Sequence, residues 1–108
     1  MIPQLQPVEL KAWLSDPSRS APLLLDVREP QEFEYCRIEG SVLMPMGQIP
    51  ARQSELKPEQ EVVVICHHGI RSMQVARFLE HSGFASVYNL QGGVDAWARE
   101  VDAGMPKY

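Results

Sequence analysis

Val62-Val63-Val64-Ile65 runs straight into Cys66-His67-His68-Gly69-Ile70-Arg71-Ser72. Four consecutive β-branched residues with no polar alternation read as a strand buried on both faces, which is a property of parallel sheets covered by helices. The run stops at a cysteine, a short polar loop containing a glycine follows, and a helical pattern begins at Ser72. That order carries a thiol to the carboxyl edge of a sheet, where open α/β folds bind ligands. It also aims the N-terminus of the next helix at the sulfur. Backbone amides and the helix dipole at such an end favour negative charge, and the thiolate is the reactive form of cysteine.

The rest of the chain fits the same plan. Pro7 suits a helical first turn, and Val8, Leu10, Trp13 and Leu14 give residues 7–15 an apolar face. Leu23 to Val27 is a second continuous apolar run, read as a buried strand, and 31–35 suits a short helix after Pro30. A short strand is expected at 41–44 and a weaker helical pattern over 48–56. Met73, Val75, Ala76, Phe78 and Leu79 make a broad apolar face on a helix over 72–82, with Gly83 placed to cap it. Residues 85–90 read as a strand, Gln91-Gly92-Gly93 as a tight loop, and Val94 to Val101 as a last helix. Strands alternating with helices through short connections predict a parallel α/β sheet in one domain, residues 1–108.

Charge and composition narrow the partners. The net charge is −4, and the seven Arg and three Lys are scattered rather than gathered into a run, so nucleic acid and anionic membrane are not expected partners. No apolar stretch approaches the ~20 residues of a membrane-spanning helix, and Met1 to Gln6 lacks the basic and apolar regions of a signal peptide. Together with only two cysteines, Cys36 and Cys66, these features predict free thiols and a cytoplasmic protein.

A strand-end cysteine is in general a packing residue, since free Cys is among the most buried types. Here Gly69 permits positive φ or a close approach, and Arg71 adds a permanent cation with a donor fork suited to oxyanions. These features favour a reactive role for Cys66. Leu24-Leu25-Asp26-Val27-Arg28-Glu29-Pro30 with Glu32-Phe33, Ile38-Glu39-Gly40-Ser41, Val64 to Ser72, and Leu90-Gln91-Gly92-Gly93 with Trp97 together resemble a single-domain rhodanese-like sulfurtransferase. The pieces stand in family order across nearly the whole chain. Cys36-Arg37 where the family often has Gly-His, and Ser41 where it usually has Ala, are departures outside the loop.

The resemblance implies a five-stranded, mainly parallel sheet with helices on both faces and an active-site loop from Cys66 to Arg71. It implies transfer of sulfane sulfur through a Cys66 persulfide, from a donor such as thiosulfate to cyanide, a thiol or a protein cysteine, without a metal or other cofactor. Cys66 is the expected catalytic residue, with His67, His68, Gly69, Ile70, Arg71 and Ser72 lining the substrate site. Arg71 is expected to draw in an anionic donor and favour the thiolate, the alternative being an ion pair with Asp26 or Glu32. His67 and His68 read as loop residues adding partial positive charge. A Cys/His metal site is discounted because only His81 and Cys36 remain as further ligands. Asp26 and Arg28 are expected to support the site by pairing locally, Cys36 to pack rather than resolve a disulfide, Gly92-Gly93 to make a tight turn, and Trp13 and Trp97 to anchor the core.

Two rivals remain open. Cysteine phosphatases and arsenate reductases also use a Cys and an Arg on an amide loop, but with five intervening residues. Here four intervene, a loop suited to one sulfur atom rather than a tetrahedral oxyanion. A non-catalytic binding or regulatory module is another alternative, although such copies typically lose the cysteine, which stands here within an intact loop; a sulfur carrier whose acceptor is another protein lies between the two.

Overall fold

The computed structural model describes all 108 residues. Five strands form one sheet in the order β1-β5-β4-β2-β3. They are β1 (Gln4–Leu5), β2 (Leu23–Asp26), β3 (Val42–Leu43), β4 (Val62–Ile65) and β5 (Val87–Leu90). Every neighbouring pair is parallel, so the expected mainly parallel sheet is wholly so. The helices are α1 (Pro7–Leu14), α2 (Pro30–Tyr35), α3 (Ile49–Arg52), α4 (Ile70–His81) and α5 (Gly93–Glu100).

The central strand β4 shows why its sequence has no polar face. Val62 and Val64, followed by Cys66, pack in one core with Leu25, Val27, Met44, Ile49, Val75, Ala76 and Leu79. Val63 and Ile65 pack in a second core with Leu10, Trp13, Leu24, Leu90, Val94 and Trp97. Alternate side chains of one strand point to opposite sides, so α4 covers one face while α1 and α5 cover the other. Trp13 and Trp97 are buried anchors of the second core.

Three local expectations shift. The region 48–56 is broken: a 3-10 turn at Met46–Gln48, the single α-turn α3 and a second 3-10 turn at Gln53–Glu55. Strand β1 has no counterpart in the local reading, because two residues between Pro3 and Pro7 carry no periodicity. Its partner fixes it: Gln4 lies opposite Asn89 and Leu5 opposite Leu90. The helix expected from Ser72 begins at Ile70, because Gly69 adopts φ +99° and turns the chain into the helix two residues early. Ile70 and Arg71 are therefore helical residues, not loop residues.

Candidate active site

Cys66 stands one residue past the end of β4, and its side chain is 1% exposed. The Gly69 amide donates to its Sγ at 3.0 Å, and the Ser72 hydroxyl lies 3.3 Å away. This is a thiol tucked against the start of α4, with one amide bonded directly to it. The loop backbone faces in a defined direction. The N-terminus of α5 takes up the loop carbonyls, Val94 N–H donating to Cys66 O at 2.9 Å and Asp95 N–H to His67 O at 3.1 Å. The Gly69 carbonyl accepts from Asn89 Nδ2 at 3.2 Å. These bonds fix the loop backbone through its carbonyls while the Gly69 N–H stays on the sulfur.

Gly93 makes the arrangement possible. A Cβ there would lie 2.3 Å from Cys66 O and 2.4 Å from His67 O, and its φ is +58°. The glycine pair thus does more than turn the chain; Gly93 lets α5 touch the loop backbone.

Arg71 does not stand free. Its Nη1 and Nη2 donate to Glu32 Oε1 and Oε2 at 2.7 and 2.9 Å, a bidentate ion pair between α4 and α2. This is the alternative pairing foreseen for Arg71. The pair holds the Glu32 carboxyl down at about 2, chiefly through the Arg71 hydrogen bonds, and raises the guanidinium in turn. Tyr108 completes the clamp: its hydroxyl donates to Glu32 Oε2 at 2.8 Å and accepts from Arg28 Nη1 at 2.9 Å. Burial pushes the Tyr108 phenol up to about 12.

Beneath the clamp lies a buried ion pair. Arg28 Nη2 and Nε reach Asp26 at 2.7 and 2.9 Å, both side chains are 0% exposed, and Nη2 also donates to Cys36 O at 2.6 Å. Burial disfavours the guanidinium charge, but bonds to Asp26 and Tyr108 more than offset it. Asp26 and Arg28 thus pair with each other, and Arg28 with the Cys36 carbonyl. Cys36 belongs to the core on the opposite sheet face from Cys66, with Arg28 Nη1 3.8 Å from its sulfur.

The two histidines divide. His68 is exposed, whereas His67 is partly buried and sandwiched, its ring 3.9 Å from Tyr108 at an interplanar angle of 7° and 3.9 Å from His68. Burial and the neighbouring His68 push the His67 pKa down, and its Nε2 is buried without a partner. His67 is thus a stacking residue whose positive charge is disfavoured by its surroundings. His67, His68 and Asp95 each place a possible ligand atom within 4.8 Å of the others, a grouping that adds Asp95 to the ligands considered from sequence. The two imidazoles are tilted by 36° to one another, and Asp95 is paired with Arg99. A shared ion would have to compete with Arg99 for the Asp95 carboxylate.

Ile70 is 72% exposed. With Gln4, Gly69, Met73, Gln74 and Arg77 it lines an open hollow of about 360 Å³ beside the loop. Ser72, placed from sequence among the substrate-lining residues, is instead fully buried under the thiol and hydrogen-bonded to Asn89. Sequence reasoning missed Tyr108, Asn89 and Gln4. Only Asn89 carried a signal, as an amide in an otherwise apolar strand.

A thiol at the carboxyl edge of a parallel sheet, bonded by an amide at the start of the following helix, defines an α/β protein with a cysteine-centred loop. The chain belongs to the rhodanese-like domain family, which matches residues 6–100. It is 39% identical over 112 residues to the Rhodanese-like/PpiC domain-containing protein 12, chloroplastic, of Arabidopsis thaliana, covering 99% of this chain and 38% of that protein. It is 40% identical over 84 residues to a sulfurtransferase of Allochromatium vinosum, covering 78% of this chain and 76% of the relative. The crystal structure of a rhodanese-like domain protein from Staphylococcus aureus superposes with a TM-score of 0.84 at 27% identity, covering 99% of each chain. No helix is long and apolar enough to cross a membrane.

Proposed function

We propose that the protein is a sulfurtransferase in which Cys66 carries sulfane sulfur as a persulfide. The observation that supports this best is the Gly69 amide at 3.0 Å from Cys66 Sγ, in a loop of four residues between Cys66 and Arg71. One N–H donor and the α4 terminus stabilise an anionic sulfur, and the short turn suits one added sulfur atom better than a phosphoryl group.

In the first half-reaction the Cys66 thiolate attacks the outer sulfur of the donor. A sulfur–sulfur bond forms to Cys66, the donor's own bond to that sulfur breaks, and the leaving group departs with the electron pair: sulfite from thiosulfate, a thiolate from a persulfide. In the second, an acceptor nucleophile attacks the outer sulfur, takes it and restores the Cys66 thiolate. Two half-reactions sharing one loaded enzyme form give ping-pong kinetics.

The site favours a particular donor within this scheme. The Arg71 charge is already met by Glu32, and burial disfavours a charge on His67. A thiosulfate dianion would have to displace Glu32 to reach the guanidinium, whereas a thiol-bound persulfide would not. The working donor is therefore a persulfide, with thiosulfate a poorer substitute. Parallel turnover assays with thiosulfate and with a small-molecule persulfide, each with cyanide as acceptor and thiocyanate as readout, test this. The persulfide should give the higher kcat/KM, and Glu32→Gln should raise thiosulfate use selectively. Equal rates of thiocyanate formation above the enzyme-free background from native protein and Cys66→Ala would remove Cys66 from the reaction.

A further inference from the structure

Asn89 sits on β5 with its side chain buried, directly between β1 and the start of α4. Its hydrogen bonds leave no freedom in how the amide is oriented. Nδ2 donates to Gln4 Oε1 at 2.8 Å and to the Gly69 carbonyl at 3.2 Å. Reversing the amide would press its oxygen against that carbonyl. Oδ1 therefore faces Ser72, and two oxygens in hydrogen-bond contact need one proton between them, which only the Ser72 hydroxyl can supply. Ser72 has one proton. While it points to Asn89, the hydroxyl can offer Cys66 Sγ, 3.3 Å away, nothing but a lone pair.

We propose that Asn89 is a positioning residue that commits the Ser72 proton and so makes Ser72 an acceptor for the protonated Cys66 thiol. When Cys66 becomes anionic, as thiolate or persulfide, Ser72 must swing that proton from Asn89 to the sulfur. This rests on Cys66 being the reacting thiol proposed above. No covalent bond of Ser72 breaks in the swing. The proton lost by Cys66 goes to solvent, the Ser72 O–H only changes direction, and Asn89 Oδ1 gives up its partner. Buried acceptors resist that loss, so Asn89 holds the sulfur back from ionising.

The charged and titratable groups around Cys66 come from every neighbouring element. They are Arg71 on α4 with Glu32 on α2, Asp26 at the end of β2 with Arg28 just beyond it, His67 and His68 in the loop, Asp95 on α5, and Tyr108. An exchange of neutral Asn89 for neutral Leu alters none of their charges, so its effect on the sulfur reports the hydroxyl.

The test is the pH dependence of Cys66 alkylation by iodoacetamide, read by peptide mass so that Cys36 does not contribute. Asn89→Leu frees the Ser72 proton and should move the midpoint down by about one pH unit, a roughly tenfold faster reaction at a fixed pH below it. In a Ser72→Ala background the same exchange should do nothing further. A midpoint that stays or rises in Asn89→Leu, or an equal shift without Ser72, overturns the proposal. Should Asn89→Leu not fold, the unaltered protein still decides: the Asn89 side-chain carbonyl ¹³C resonance should titrate together with Cys66, and a flat resonance through the alkylation midpoint is the contrary result. Alkylation needs no sulfur donor, so a shift in a protein that never loads sulfur would refute the proposed reaction and leave this coupling standing.

Discussion

Replacing Gly93 with alanine isolates the contact between α5 and the loop. Two costs add. An L-residue at φ +58° pays about 1–2 kcal/mol for the left-handed conformation. The new Cβ would also lie 2.3 Å from Cys66 O and 2.4 Å from His67 O, so the carbonyls must retreat by about 1 Å to reach ordinary contact. That movement breaks the hydrogen bonds they accept from Val94 and Asp95 at 2.9 and 3.1 Å, at about 1 kcal/mol each. The sum is about 3–4 kcal/mol. Gly40 is the internal control. Its φ is +86° but nothing lies within 4 Å of its Cβ position, so Gly40→Ala should cost only the conformational part, about 1–2 kcal/mol. Urea unfolding of both variants measures the difference, which is about 2 kcal/mol in this reasoning. Equal losses would mean that α5 does not brace the loop. Cys66 in folded Gly93→Ala should also alkylate at an altered rate, because its carbonyl has moved.

Removing one partner of the buried Asp26–Arg28 pair should be costly. Arg28→Met leaves the Asp26 carboxylate in the core and deprives Cys36 O and Tyr108 of donors, so a loss of about 3–5 kcal/mol is expected in denaturant unfolding. Acid should open the Glu32–Arg71 clamp. The Glu32 carboxyl is held at about 2 against an ordinary 4.5, so its contribution is whole above about 4.5 and disappears as pH falls from there through about 2. The clamp is partly exposed, which limits the loss to the order of 1 kcal/mol, and Glu32→Gln should remove that part of the acid sensitivity in thermal melts. Cys36→Ala should leave sulfur loading at Cys66 unchanged by intact mass, since Cys36 lies on the other face of the sheet; loss of loading would restore it as a second working thiol.

The parts legible in the sequence were those written in neighbouring residues. β4 declares itself by four apolar residues in a row, α4 by its apolar spacing, and the thiol by its place between them. β1 was not legible, because two residues gain strand geometry only from pairing with β5 at Asn89 and Leu90. The resemblance to known proteins implied a fifth strand without locating it. The start of α4 was misplaced by two residues, since the cap is the backbone of Gly69 and not a side-chain signal. The clamp joins Glu32, Arg71 and Tyr108, residues 39 and 76 positions apart from Glu32. No spacing rule predicts which acid an arginine meets across that distance. Asn89 could have been noticed as the amide in Val87-Tyr88-Asn89-Leu90, but its partners Gln4, Gly69 and Ser72 become neighbours only when the sheet assembles.

The central claim is that Cys66 carries a transferable sulfur. Intact and peptide mass spectrometry of the protein after incubation with a persulfide donor tests it most directly. One sulfur atom should be added to the peptide containing Cys66, be absent from Cys66→Ala, and be removed by cyanide. A Cys66 that stays unmodified, or an addition of the same size in Cys66→Ala, contradicts it.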